Sequence, residues 1–305
     1  MTSYVLRRVM LMAPLVVTMV TITFLLMHAI EGGPFDTDRP LPPATQQRLQ
    51  ERYGLDKPLL QQYGLYLFRL AQFDLGISFA SDRPVRDVIG ERMLPTVQLG
   101  LTAFVFAVIC GVGLGTLSAL NQNGAWDFAG VFIATVGSAL PSFILAPLLV
   151  IAFVLRLHWF DVLGWEFGNY HKMTLPTIAA GVLPMAFLSR ITRAALLDVL
   201  NQDYIRTARA KGLSEFRVVV RHASRNAMIP ILTVAGLLFA HSLTGSFIVE
   251  QAFAIPGIGK EFIDSVLVRD YGVMMGLTVT YTLIYALMTL VVDVLYAVVD
   301  PRIRY

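Results

Sequence analysis

The stretch Asp203-Tyr204-Ile205-Arg206-Thr207-Ala208-Arg209-Ala210-Lys211-Gly212-Leu213 sets closely spaced cations among small side chains, between two long apolar runs. Two kinds of chemistry suit that pattern. Arg206, Arg209 and Lys211 can meet lipid phosphates at a membrane face, as basic juxtamembrane segments do. Alternatively, Thr207, Ala208, Ala210 and Gly212 are small so that a short helix can seat in a groove on a partner, with Arg209 and Lys211 fixing its orientation. Residue types alone leave both open.

A second set of chemically capable residues lies in or near the apolar runs: His28, His241, Glu250 and Asp293. Ionisable groups at membrane depth are costly and point first to function. His241 is expected near the middle of an apolar span, Glu250 near its outer end, and Asp293 near the inner end of the last span. His241 and Glu250 are candidates for lining a transport path. Together with Asp293 they also admit a rival reading, a proton-coupled carrier that would need no ATPase. The histidines are isolated, and no Cys–His spacing suits zinc. The single Cys110 sits in an apolar run, so no intrachain disulfide can form. Gly111-Val112-Gly113-Leu114-Gly115 superficially resembles a nucleotide-binding glycine run, but no strand precedes it. Its spacing fits close helix–helix approach in a bilayer. There is no G-x-x-x-x-G-K-[ST] run to cradle ATP phosphates, and no nucleophile–base constellation for an enzyme.

These residues must be positioned by membrane helices. Of 305 residues, 56% are hydrophobic and 15% charged, against roughly a quarter charged in soluble domains. Mean hydropathy is +0.64 and the formal net charge only +3. Six apolar stretches reach the length of about 20 residues needed to cross a bilayer: 9–30, 94–120, 128–155, 175–197, 228–253 and 273–299. Irregular backbone cannot face lipid, so the expected fold is all-α, polytopic, with six transmembrane helices. An even number puts both termini on one side. Arg7, Arg8, Arg190, Arg193, the loop cations, Arg302 and Arg304 then choose the cytoplasm, and Arg190 and Arg193 are expected to snorkel from the inner end of the fourth span. Residues 1–30 read as an uncleaved first helix, 31–93 as a small extracytoplasmic insert capping the outer helix ends, and 94–305 as the main membrane domain. In the insert, Ala44 to Tyr53 is polar-helical and ended by Gly54, and Leu59, Leu60, Tyr63, Leu67 and Leu70 recur at helical spacing. Pro141 and Pro147, and Pro176 and Pro184, should bend the third and fourth spans.

The inner loop, 198–230, parses into two short helices. One runs from about Tyr204 to Lys211 and stops at Gly212, a residue suited to the left-handed position after a helix. Ser214 can cap the next, whose apolar face is expected to hold Phe216, Val219, Val220, Ala223 and Ala227, while Arg217, Arg221 and Arg225 line another. Pro230 is expected to open the fifth span.

The run Arg206 to Gly212, followed by Arg221-His222-Ala223-Ser224-Arg225-Asn226-Ala227-Met228-Ile229-Pro230, resembles the cytoplasmic loop of ABC importer permeases of the peptide/nickel class. Leu55-Asp56-Lys57-Pro58, Asp74-Leu75-Gly76, Pro256-Gly257-Ile258-Gly259, Arg269-Asp270-Tyr271 and the terminal Asp300 to Tyr305 are similar too. Leu41-Pro42-Pro43 and Gln122 to Asp127 resemble the B-type subunit of oligopeptide permeases. Where the wider superfamily has Glu-Ala-Ala, this chain has Arg206-Thr207-Ala208, as is usual in the peptide class. The resemblance implies a type I importer permease fold in the cytoplasmic (inner) membrane and oligopeptide cargo; dipeptides, nickel complexes, glutathione and opines are alternatives within the class. It also implies partners: a second, homologous permease, two ATPases that bind ATP and Mg, and an extracytoplasmic binding protein. No nucleic acid is implied, and this chain would hold no cofactor. The short helix, residues Arg206, Thr207, Ala208, Arg209, Ala210, Lys211 and Gly212, would sit in a cleft of an ATPase.

Overall fold

The computed structural model describes residues 2–29, 43–161 and 164–299; Ile30, part of Leu41-Pro42-Pro43 and the terminal Asp300 to Tyr305 lie outside them. In chain order the helices are α1 (Thr2–Ala29), α2 (Pro43–Tyr53), α3 (Leu59–Ala71), α4 (Val85–Leu120), α5 (Ala125–Ala139), α6 (Ser142–Leu149), α7 (Tyr170–Leu200), α8 (Asp203–Ala210), α9 (Glu215–Arg217), α10 (Ser224–Leu243), α11 (Phe247–Ala252), α12 (Ile258–Leu267) and α13 (Tyr271–Val299). A π-helical run, Val150–Arg156, extends α6, and another, Val218–Ala223, joins α9 to α10. Among the described residues there is no strand, only an isolated bridge between Ile77 and Pro84. Five helices are long and apolar enough to span a membrane: 6–29, 85–120, 170–200, 215–243 and 271–294. A bent pair, 125–139 with 142–156, makes a sixth if counted as one span.

Several boundaries differ from the sequence expectation, for identifiable reasons. The third span is not one rod: it turns by 103° at Leu140-Pro141. Proline disfavours the helical region for its predecessor, and Leu140 is extended at ψ 109°. Pro176 and Pro184, by contrast, stay inside the single 31-residue helix α7. α4 starts nine residues before Leu94, so Val85 to Met93 belong to a 36-residue span helix rather than to the insert. The apolar run 228–253 is divided, because α10 ends at Leu243 and Gly245 follows with φ +81°. The break falls in the polar run Ser242 to Ser246, too short to lower the mean hydropathy of the long apolar stretch around it.

The chain divides into two units. One comprises residues 1–94 and 256–287. Its core joins Val16, Val20, Phe24 and Met27 of α1 to Tyr271, Met274, Met275 and Val279 of α13, with Tyr63, Leu67 and Leu70 of α3 packed alongside. Leu59 and Leu60, read as part of that helical stripe, are exposed. Asp270 fastens the loop before α4. It accepts hydrogen bonds from the Ser78 hydroxyl and the Phe79, Ala80 and Val273 backbone N–H groups, the last capping α13. Gly54 ends α2 with φ +69°, as expected.

The other unit comprises 95–255 and 288–305. Here α4 lies against α7 at the glycine run. A Cβ on Gly111 would come 2.7 Å from the Met185 carbonyl oxygen, and one on Gly115 would overlap the Ser189 carbonyl oxygen, whereas Gly113 faces open space. The small residues serve packing, which joins interhelical hydrogen bonds in holding helices together when the solvent is itself apolar. One core patch collects Met185, Leu188, Ala195 and Leu196 of α7 with Ile205 and Ala208 of α8 and Ala223, Ala227 and Ile231 of the π-helical run and α10.

Candidate functional site

The helix α8 covers Asp203 to Ala210, and its ends are built locally. The Leu213 N–H donates to the Ala208 carbonyl at 3.4 Å and the Gly212 N–H to the Arg209 carbonyl at 2.9 Å. This pair of bonds is the Schellman closure, and it places Gly212 at φ +75°, where a side chain would be strained. No atom lies within 4 Å of where a Gly212 Cβ would stand. The stop expected from the sequence is therefore present, one residue earlier than read.

One face of α8 is fixed to its own chain. Ile205 is fully buried and Ala208 is 6% exposed, both in the core patch with α7 and α10. Ala208 was read as part of the partner-facing set; the 3.6-residue period instead carries it to the same side as Ile205, three residues earlier. Arg206, Thr207, Arg209, Ala210, Lys211 and Gly212 remain exposed. Arg209 does not reach out freely. Its Nε donates to Glu215 Oε1 at 2.7 Å and its Nη2 to Oε2 at 3.2 Å, a fork that ties α8 to α9. Thr207 Oγ1 donates to the Asp203 carbonyl oxygen at 3.0 Å, and Asn226 Nδ2 of α10 donates to Tyr204 Oη at 2.8 Å.

The second half of the loop departs from the expected register. Phe216 and Val220, placed on the apolar face, are 76% and 54% exposed, while Val218, Val219, Ala223 and Ala227 are buried. The cause is the π-helical run Val218–Ala223: its wider turn shifts the burying face relative to an α-helical count. Pro230 lies inside α10 rather than at its start, because the helix is continuous from Glu215 to Leu243. Phe216 thus joins the exposed side of the loop. The sequence signal that could have found it is the flanking Arg217, which with Phe216 departs from a buried face.

The arginines expected to snorkel are anchored. Arg193 Nε and Nη2 each donate at 2.7 Å to the two Asp127 oxygens, and Asp127 also accepts from the Ser118 hydroxyl and, at 2.9 Å, from the Asn123 backbone N–H. Arg190 Nη1 donates to Ser138 Oγ at 2.9 Å and lies over the Phe187 ring. A partner 66 residues away could not be read from spacing.

The path candidates are also placed differently. His241 is not mid-span; it occupies the last turn of α10, exposed, since that helix ends at Leu243. Glu250 does not reach interfacial water. It lies on the separate short helix α11, is 0% exposed, and accepts from Thr96 Oγ1 at 2.8 Å. Ser246 caps α11, its hydroxyl accepting from the Val249 N–H. Asp293 is half-buried on α13. Among the described residues no His/Cys/Asp/Glu group could hold a metal.

The site is thus a short helix presenting a cationic, small-residue face, its opposite face packed on two span helices. The sequence profile described as "binding-protein-dependent transport system inner membrane component" matches residues 111–305. The chain is 45% identical over 305 residues to the dipeptide transport system permease protein DppB of Bacillus subtilis, covering all of this chain and 98% of that one. It is 40% identical over 306 residues to the oligopeptide transport system permease protein OppB of Escherichia coli, covering all of both. Among solved structures, an inward-facing MetNI methionine ABC transporter shares the fold with a TM-score of 0.57 at 15% identity, over 70% of this chain and 96% of that one. That family decides against a free-standing proton-coupled carrier: the chain belongs to the inner-membrane components of binding-protein-dependent transport systems, the permease subunits of ABC transporters.

Proposed function

We propose that this chain is one of two homologous permeases of an importer for oligopeptides, driven through α8 by cytoplasmic ATPases that bind ATP and Mg. The observation that carries the reading is α8 itself. Its Arg206, Thr207, Ala210, Lys211 and Gly212 are exposed, while Ile205 and Ala208 lock the same helix to α7 and α10. A force applied to the exposed face reaches two span helices without passing through a flexible tether. An extracytoplasmic binding protein delivers the cargo. Both termini and the α8 loop lie in the cytoplasm, in accord with the placement of Arg7, Arg8 and the loop cations. Alternating access then follows from ATPase states that favour different helix arrangements.

Single cysteines test the docking face. A cysteine at Ala210, in native membranes, should crosslink to an ATPase subunit, whereas one at Ala208 should not, because that side chain faces its own core. Gly212→Trp should abolish uptake while leaving membrane insertion intact: a Cβ there meets no atom of this chain, and Gly212→Ala, which carries the same backbone strain at φ +75° without the ring, is the control and should retain more uptake. Equal labelling from both positions, or normal uptake by Gly212→Trp, would overturn the docking reading. Relatives named for dipeptides and for oligopeptides are both similar over the full length. Cargo length is therefore tested separately: peptides of three to five residues should compete for uptake in the assembled transporter, and competition by dipeptides alone would shift the cargo.

A further inference from the structure

The unit containing α1 holds a cavity of about 280 Å³ that the transport reading leaves unused. Its walls are the last turn of α1 (Phe24, Met27, His28), the first turns of α13 (Tyr271, Met275) and the helices α2 and α3. α1 and α13 are both span helices, and the cavity sits where one ends and the other begins. It therefore lies at the boundary between hydrocarbon and water, the depth of lipid headgroups.

The polar lining has a surplus of donors. Arg52 is engaged, donating to both Asp82 oxygens at 2.6 and 2.8 Å. Lys57 and Arg69 line the cavity and make no ion pair among the described residues, against the single carboxylate of Glu51, which already accepts from Gln47 Nε2 at 3.1 Å. Tyr66 also lines it, and its hydroxyl is buried with no hydrogen-bond partner among the described residues. An unpartnered buried hydroxyl is rare, so it calls for an explanation. Burial, with a smaller contribution from Asp74, pushes the Tyr66 phenol well above its ordinary pKa, so it stays a donor. The apolar lining mixes aliphatic side chains with an aromatic group in which His28 lies against the Phe24 ring at 4.2 Å and the Tyr271 ring at 5.4 Å. The side of α1 that carries Ile22, Leu25 and Leu26 is exposed and apolar.

We propose that this cavity binds the phosphate of an anionic phospholipid, held by Lys57, Arg69 and the Tyr66 hydroxyl, with its acyl chains laid along α1. A phosphodiester offers only acceptors, which matches three unpaired donors. A peptide would bring an ammonium that finds only Glu51. Basic pockets between span helices take anionic headgroups on the cytoplasmic side of membranes, and the same chemistry applies to this one.

The test uses the full chain purified in mild detergent and titrated with phosphatidylglycerol, followed by native mass spectrometry. One phosphatidylglycerol should be retained where phosphatidylcholine is not. The double variant Lys57→Gln/Arg69→Gln should bind at least about tenfold more weakly, and Tyr66→Phe about threefold, given the usual strength of charge-assisted and neutral hydrogen bonds. Both cations are exposed, so the double variant should keep the lipid-free melting temperature and serves even if Tyr66→Phe does not fold. Equal retention of the two lipids, wild-type binding by the double variant, or displacement of the lipid by a tripeptide would each overturn the proposal. Inorganic phosphate or glycerol phosphate competing at the lipid's own concentration would assign the site to a soluble phosphate and overturn the lipid source.

Discussion

Gly111, Gly113 and Gly115 occupy successive alternate positions, yet only the outer two face α7. Alanine at Gly111 or Gly115 must move a neighbouring backbone carbonyl, and overpacking of that kind costs about 1–3 kcal/mol. Alanine at Gly113 meets nothing within 4 Å and gains up to about 1 kcal/mol of helix propensity. Thermal unfolding in detergent should therefore show lowered midpoints for Gly111→Ala and Gly115→Ala and an unchanged or raised one for Gly113→Ala. This much was legible in the sequence, because a small-xxx-small pair has few uses in a bilayer. Arg193 was not: a long side chain near a span end reads as snorkelling, and the Asp127 that receives it lies on another helix.

At the scale of elements, Asp127 joins three of them. It lies in the first turn of α5, reaches back to the Asn123 N–H of the preceding turn, accepts from Ser118 on α4 and receives the Arg193 fork from α7. Asp127→Ala should destabilise the protein by roughly 3–5 kcal/mol, since it leaves a half-buried guanidinium unpaired. Arg193→Lys keeps the charge but cannot restore the fork, and should cost about 1–3 kcal/mol. Both are read as shifts in the denaturation midpoint of the purified chain. The positions of the span helices were readable from apolar runs of sufficient length. The interruptions were less so: Leu140-Pro141 shows only that a bend exists, and the break at Gly245 is marked by the polar run His241-Ser242-Leu243-Thr244-Gly245-Ser246, which an average over the whole apolar stretch passes over. At Gly245 a Cβ would stand 2.5 Å from Thr96 Cγ2 and 2.8 Å from Glu250 Oε1, so the break closes directly onto the buried carboxylate.

For the whole molecule, Glu250 separates structural from protonic roles. Gln retains an oxygen able to accept from Thr96, so Glu250→Gln should preserve uptake in the assembled transporter, and uptake should persist under an uncoupler while ATP is maintained. Glu250→Leu removes that acceptor and should cost about 1–3 kcal/mol in stability. Loss of transport in the Gln variant with its midpoint unchanged would instead assign the proton of Glu250 a part in transport. The insert was expected to pack on helix ends, and its α3 packs on the same patch as α1 and α13. Its helices were legible from spacing; their attachment to a terminal helix more than 200 residues away in sequence was not.

The π-helical run Val218–Ala223 lies between the loop helices and α10 within one unbroken helix, 215–243. Each such turn accommodates a residue more than an α turn does, and one residue of α-helix corresponds to about 100° of rotation. Excising a single residue from an α-helical stretch would turn everything upstream by that angle, whereas excising one here lets the wide turn relax to ordinary winding with the faces on either side kept in place. The six-residue window thus stores one residue of chain length without turning the loop helices away from the core on which Ile205 and Ala208 are seated.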